Sequence, residues 1–130
     1  MATARFPFFL DLPTIELAFF ARRAETPLVR RLLVDSGFTG ESAFILSVDD
    51  CEHLRRRSAP ARQVCGALSG TYKRAWVKCS LPELGLVTNL IAIPADLASF
   101  SLPVGVQGLV GLSFLKRLVR WGGERSAPNE

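Results

Sequence analysis

The chain has 130 residues, enough for one domain core and too few for two, because domains settle at about 100–150 residues each. Hydrophobic residues make up 48% and charged residues 22%, which excludes an intrinsically disordered chain. The net charge of +4 rests on clusters (Arg22-Arg23, Arg30-Arg31, Arg55-Arg56-Arg57, Lys116-Arg117) scattered among apolar stretches; they read as solvated helix ends and strand edges, not as a nucleic-acid stripe.

Three cysteines, Cys51, Cys65 and Cys79, form an odd set with no pair at zinc or redox spacing, which fits a reduced, cytoplasmic setting. The apolar runs Phe6 to Leu10 and Ile15 to Phe20 are broken by Asp11, Pro13 and Glu16, so neither a signal peptide nor a membrane span is expected.

In chain order, Thr14 to Phe20 mixes β-branched and aromatic residues between Pro13 and Arg22-Arg23 and reads as a strand, as does Leu28 to Val34. The turn formers Asp35, Ser36, Gly37 and Gly40 stop that strand, and Ala43 to Leu46 resumes as the next. Ser47 then caps a short helix that opens on Asp49, Asp50 and Glu52 and runs to Arg57, where cations suit a helix C-terminus. Cys65 to Gly70, with a glycine near each end, suits the tip of a β-hairpin. Beyond it, Ala75, Val77, Cys79 and Leu81 share one parity while Arg74, Trp76 and Lys78 share the other, the pattern of a half-buried strand. Val87 to Ile93 is another strand, and Gly105 to Gly111 leads into a short amphipathic helix over Leu112 to Leu118. The segment from Gly122 reads as a flexible tail, giving one domain over 1–121 and a tail over 122–130. About seven short strands and two short helices make an all-β class, a barrel or a sandwich.

An isolated Asp-Ser-Gly is an ordinary turn in which the Asp side chain accepts from the backbone two residues on. Here an apolar strand, Leu32-Leu33-Val34, runs straight into Asp35, and a second apolar-apolar-Gly element, Leu109-Val110-Gly111, opens a helix far downstream. The segment Val34-Asp35-Ser36-Gly37-Phe38-Thr39-Gly40 resembles the active-site segment of retropepsin-like aspartic peptidases, particularly the small single-lobe bacterial members. The resemblance extends to the hairpin around Gly66 to Gly70, in the place of the family's flap. It also takes in Gly108-Leu109-Val110-Gly111-Leu112-Ser113-Phe114-Leu115, in the place of the family's glycine-then-helix element. Two departures stand out: Ser36 replaces the family's threonine, and Leu112-Ser113 stands where an Asp or Asn is common.

The resemblance implies a closed, mostly antiparallel acid-protease barrel, acting as a two-fold homodimer on an extended peptide or protein substrate. Catalysis falls to Asp35, Ser36 and Gly37: Asp35 as shared acid and base, Ser36 as a lock between the two active-site loops, and Gly37 giving the substrate backbone room. Phe38, Gly66, Ala67, Leu68, Ser69 and Gly70 are the implied substrate-binding residues. The chain carries one such Asp-containing segment, so the second carboxylate has to come from another copy. A non-catalytic peptide-binding or dimerisation module on the same fold is the alternative, because fold alone does not establish activity.

Other constellations carry less. His53, the single histidine, sits among charged helix residues and reads as solvated; no metal and no cofactor is expected. Asp49-Asp50 point about 100° apart on a helix and read as helix-start charges rather than a dyad. Gly105, Gly108 and Gly111 match no phosphate-binding fingerprint, and Trp76 and Trp121 read as packing residues.

Overall fold

A computed structural model describes residues 12–21, 26–64 and 70–118. Its strands are β1 Thr14–Phe20, β2 Leu28–Val34, β3 Ser42–Ser47, β4 Arg57–Val64, β5 Gly70–Leu81, β6 Leu86–Ala95 and β7 Gly108–Val110. Two helices, α1 Val48–Leu54 and α2 Leu112–Leu115, and two 3-10 turns at Pro82–Leu84 and Leu97–Phe100 complete the secondary structure. The chain is therefore mostly β, with two short helices. Among the described residues no helix is long and apolar enough to cross a membrane.

The strands are ordered β1-β2-β7-β3-β6-β5-β4, and β1 also pairs with β5. That extra pairing closes six strands into a barrel and, among the described residues, leaves β4 paired to β5 alone. One edge of β5 serves two partners in succession, β4 along Gly70 to Trp76 and β1 along Lys78 to Ser80, while β6 takes the other edge. The pairings β2–β7 and β3–β6 are parallel and the rest antiparallel. Although β2 and β3 are consecutive in the chain, they are not neighbours: β7 lies between them.

Alternation along β3, β6 and β7 sorts their apolar residues into two clusters on opposite faces. Phe44, Ala92 and Val110 point into the barrel with Leu17, Phe19, Leu32, Val77 and Cys79. Ile45, Ile93 and Leu109 point the other way, where Leu33, Phe38, Leu97, Phe100 and Leu102 pack against them. Phe44 anchors the interior, edge-on to Phe19 at 5.2 Å between ring centroids and tilted to Phe114 at 5.9 Å.

The expected strands over Thr14–Phe20 and Leu28–Val34 fall where the composition put them, and the 75–81 parity is buried as its alternation requires. Ser47 caps α1 by accepting from the Asp50 amide at 3.0 Å. The helix stops at Leu54 and not at Arg57: the Arg56 amide donates to the Trp76 carbonyl at 2.9 Å, which takes the chain into β4. Likewise α2 ends at Leu115 and not at Leu118. Arg74, on the parity expected to face solvent, is buried. Trp121, the 121/122 boundary and the tail lie outside the described residues.

Two predictions follow from the interior. Phe44→Ala removes a ring held by two others, and should lower stability by about 3–5 kcal/mol in urea unfolding; a loss under about 1 kcal/mol would show that the barrel centre is not where its packing lies. The second concerns the thiols. Burial, aided by Asp50 and Glu52, pushes Cys51 from 9.0 up to about 12, and burial raises Cys79 to about 12 against a lowering by Arg117. An unfolded chain releases these protons at lower pH than the folded one. Their contribution is thus intact below pH 9.0 and is lost as pH rises towards about 12. Unfolding midpoints of wild type should therefore fall more steeply across that window than those of a Cys51→Ala/Cys79→Ala variant, and parallel curves would refute the assignment.

Candidate functional site

The site is assembled where β2 and β7 end side by side. Val34 is level with Val110, and the ladder runs one step further: the Asp35 amide donates to the Val110 carbonyl at 2.9 Å. Strand alternation carries Asp35 to the same side as Leu33, the face of the second apolar cluster. The chain then turns within four residues, the Phe38 amide donating to the Asp35 carbonyl at 3.1 Å. Inside the turn, the Gly37 amide donates to Asp35 Oδ1 at 3.0 Å, fixing one carboxylate oxygen.

The return limb is tied to the same strand end. The Gly111 amide donates to the Ala43 carbonyl at 2.8 Å and the Leu112 amide to the Phe38 carbonyl at 2.9 Å. This close passage needs a glycine: a Cβ on Gly111 would meet Phe38 Cδ2 and the Phe38 carbonyl oxygen at 2.5 Å. A Cβ on Gly108 would collide with the Ile45 carbonyl oxygen. Gly108 and Gly111 thus serve close backbone contact.

Charged side chains secure the far end of the loop. Arg74, reaching over from β5 with only 3% of its side chain exposed, donates through Nη1 to Glu41 Oε2 and to Ser42 Oγ, each at 3.3 Å. Ser113 Oγ donates to the Glu41 carbonyl at 3.3 Å and so ties α2 to the loop. Sequence reasoning missed Arg74 and Glu41. An arginine on the outward parity of a strand looks like any solvated cation, and its partner lies 33 residues away.

Of the expected site residues, Asp35, Ser36, Gly37 and Phe38 are brought together in one turn. Asp35 is half-buried, Ser36 and Gly37 are exposed, and Phe38 packs into the second apolar cluster. The Ser36 hydroxyl makes no hydrogen bond among the described residues. Gly37 has a local reason to lack a side chain, since a Cβ there would press on Asp35 Oδ1 at 3.2 Å. Gly70 is the first residue of β5, level with Val64 at the end of β4. Gly66, Ala67, Leu68 and Ser69 lie outside the described residues.

The competing constellations are elsewhere. Asp50 is held by Arg30 through Nε at 2.8 Å and Nη2 at 3.1 Å, which commits its carboxylate to fastening α1 onto β2. His53 is exposed on α1, and among the described residues no group of three or more His, Cys, Asp or Glu is placed to hold a metal ion. No family model, curated protein or solved structure matches the chain.

Gly111→Ala tests the construction directly. Its methyl group has to displace Phe38, so the variant should lose about 1–3 kcal/mol of stability in urea unfolding and shift the backbone resonances of 35–38. Unchanged stability and unchanged resonances would mean that the loop does not rest on this glycine.

Proposed function

We propose that the chain is one subunit of an aspartic endopeptidase that works as a homodimer, with Asp35 of each copy contributing to a shared catalytic pair. The observation that carries this reading is the Asp35 turn itself. A single carboxylate stands at a strand end, its main chain bonded to the parallel strand β7 and one oxygen held by the Gly37 amide. Such double tethering is what a reacting group requires, since catalysis depends on fixed geometry more than on contact number.

The chemistry explains the need for two copies. Peptide hydrolysis by carboxylates alone takes one ionised group as base and one protonated group as acid. The base removes a proton from water as the water oxygen bonds to the scissile carbonyl carbon. The acid gives its proton to the carbonyl oxygen. Collapse of the resulting diol breaks the carbon–nitrogen bond: the amine leaves with a proton from the pair, and one diol hydroxyl returns a proton to the pair as the carboxylic acid forms. Two carboxylates about 4 Å apart at an effective dielectric of about 20 repel by roughly 4 kcal/mol, which is the general reason that such pairs share one proton. The exposed Ser36 and Gly37 leave that edge of the loop open to a second copy. The β4–β5 hairpin then serves as the flap, and an extended peptide adds to the sheet between flap and floor through its backbone. The resemblance of Val34 to Gly40 to the retropepsin-like segment supports the same reading.

One observation favours the rival reading, a non-catalytic peptide-binding or dimerisation module. The bond from the Gly37 amide to Asp35 Oδ1 is also what an ordinary Asx turn makes. Cleavage separates the two. Wild type incubated with a mixed peptide library between about pH 4 and 7 should hydrolyse peptides, and Asp35→Asn should be slower by about 10²–10⁴-fold. Specific activity should also fall on dilution as the dimer dissociates. A dimeric wild-type sample that cleaves nothing would reject the peptidase in favour of the binding module.

A further inference from the structure

The cations are unevenly distributed along the chain, and the fold makes their densest stretch a single hairpin. Seven of the chain's sixteen Lys and Arg residues lie between Leu54 and Pro82, and none of its twelve Asp and Glu residues do. That stretch is the β4–β5 hairpin with the two residues that lead into it. The net charge of +4 is therefore the difference between a hairpin of +7 and a remainder of −3. Two of these cations have carboxylate partners among the described residues: Arg74 with Glu41, and Arg55 with Glu52 at 3.9 Å. Arg57, Lys73 and Lys78 have none there.

Strand register shows where these charges point. Arg57 is level with Trp76 and Trp76 with Ile91, while Ser42 on β3 is level with Ile91 as well. Residues level with one another share a face, so Arg57 and Trp76 lie on the same side of the sheet as Ser42, Ile93, Leu109 and Leu33. That is the side to which Asp35 alternates. Lys73 has the barrel-interior parity of Ala75 but is exposed, as expected of the first charge past the barrel on the hairpin arm. Neighbouring strands are about 4.8 Å apart, so the five spacings from β2 to β4 come to about 24 Å, which an extended peptide at about 3.3 Å per residue covers in about seven residues.

We propose that the substrates of this site are acidic peptides, with Asp or Glu side chains flanking the scissile bond and held by the field of the β4–β5 hairpin. This rests on the peptidase reading for the cleavage and on the hairpin's charge for the selectivity. A surface of one sign concentrates the opposite charge and speeds its capture. Nucleic acid, the other polyanion, is disfavoured by the aromatic rings. The Arg57 guanidinium covers Trp76 at 4.9 Å and the Lys78 ammonium lies over Phe20 at 5.6 Å, so both rings are already stacked with cations and not free for bases.

The test compares a Glu-rich peptide, the same peptide with Gln for Glu, and the same peptide with Lys for Glu, each carrying one common scissile segment. Wild type should cleave the Glu-rich peptide with kcat/KM higher than the Lys-rich one by about tenfold or more, and the ratio should shrink as salt is added. An Arg57→Glu/Lys73→Glu variant, changed at two exposed positions, should lose or reverse the preference. Equal kcat/KM for all three peptides would overturn the proposal while leaving the peptidase reading intact. A separate binding arm uses Asp35→Asn with the same labelled peptides and a single-stranded oligonucleotide of matched charge. Salt-sensitive binding of the Glu-rich peptide, with no cleavage by wild type, would keep the acidic selectivity and reject the peptidase. Tighter binding of the oligonucleotide, or no preference for Glu over Lys, would overturn the selectivity.

Discussion

The hydrogen bond from the Asp35 amide to the Val110 carbonyl holds the site together, because it exists only where β7 has been inserted between β2 and β3. Without that insertion β2 would end in a free turn, and Asp35 would be one more surface carboxylate. With it, the turn of 35–38 is braced along its length: Asp35 on Val110, Phe38 on Leu112, and Ala43 on Gly111. The insertion also dictates composition. Three backbones approach closely around β7, and Gly108 and Gly111 are the positions where a Cβ would strike a neighbouring carbonyl oxygen. The glycine spacing is thus a consequence of topology.

Barrel closure supplies the second half of the arrangement. β5 is twelve residues long, and its pairing to β1 uses only the three residues Lys78 to Ser80 of one edge. The rest of that edge is left to β4, and the hairpin they form is an outgrowth of the barrel wall rather than a separate unit. Its stability is borrowed from β5, since among the described residues β4 has no other strand partner and it breaks register between Ala59 and Arg62, around Pro60. A strand tolerates proline and a break in register more readily at an edge, where one row of backbone groups needs no partner. Arg74 then ties this arm back to Glu41 and Ser42, linking the hairpin to the exit of the Asp35 turn through a buried guanidinium.

What was legible in the sequence follows from periodicity. Where one face of a strand is wet, as over Ala75 to Leu81, alternation fixes both the strand and its buried side. The continuous apolar runs Ala43-Phe44-Ile45-Leu46 and Leu90-Ile91-Ala92-Ile93 belong to strands covered on both faces, which is why a second cluster forms outside the barrel around Ile45, Ile93 and Leu109. β4 left no comparable trace: Arg57-Ser58-Ala59-Pro60-Ala61-Arg62 has neither alternation nor a β-branched residue, and it is a strand only because β5 offers an edge. The end of α1 was misplaced for a related reason. Arg55-Arg56-Arg57 has good helix propensity, but the Trp76 carbonyl takes the Arg56 amide, and a tertiary partner overrides a local preference of a few tenths of a kcal/mol per residue.

The same contrast governs the site. Asp35, Ser36, Gly37 and Phe38 were readable because a turn is local, and its residues must sit next to each other to form it. Arg74 and Glu41 were not, because a pair separated by 33 positions has no signature until the fold brings it together. Electrostatics shows the gap most clearly. A net charge of +4 suggests only a mildly basic protein, although one acid-free stretch carries +7 against −3 elsewhere, and it is the fold that makes that stretch a single hairpin. Fields act through space and not along the chain, so the quantity that selects a charged partner is set by strand pairing. In this molecule the decisive pairing is the one between β4 and β5, the pair whose first member the sequence pattern hid.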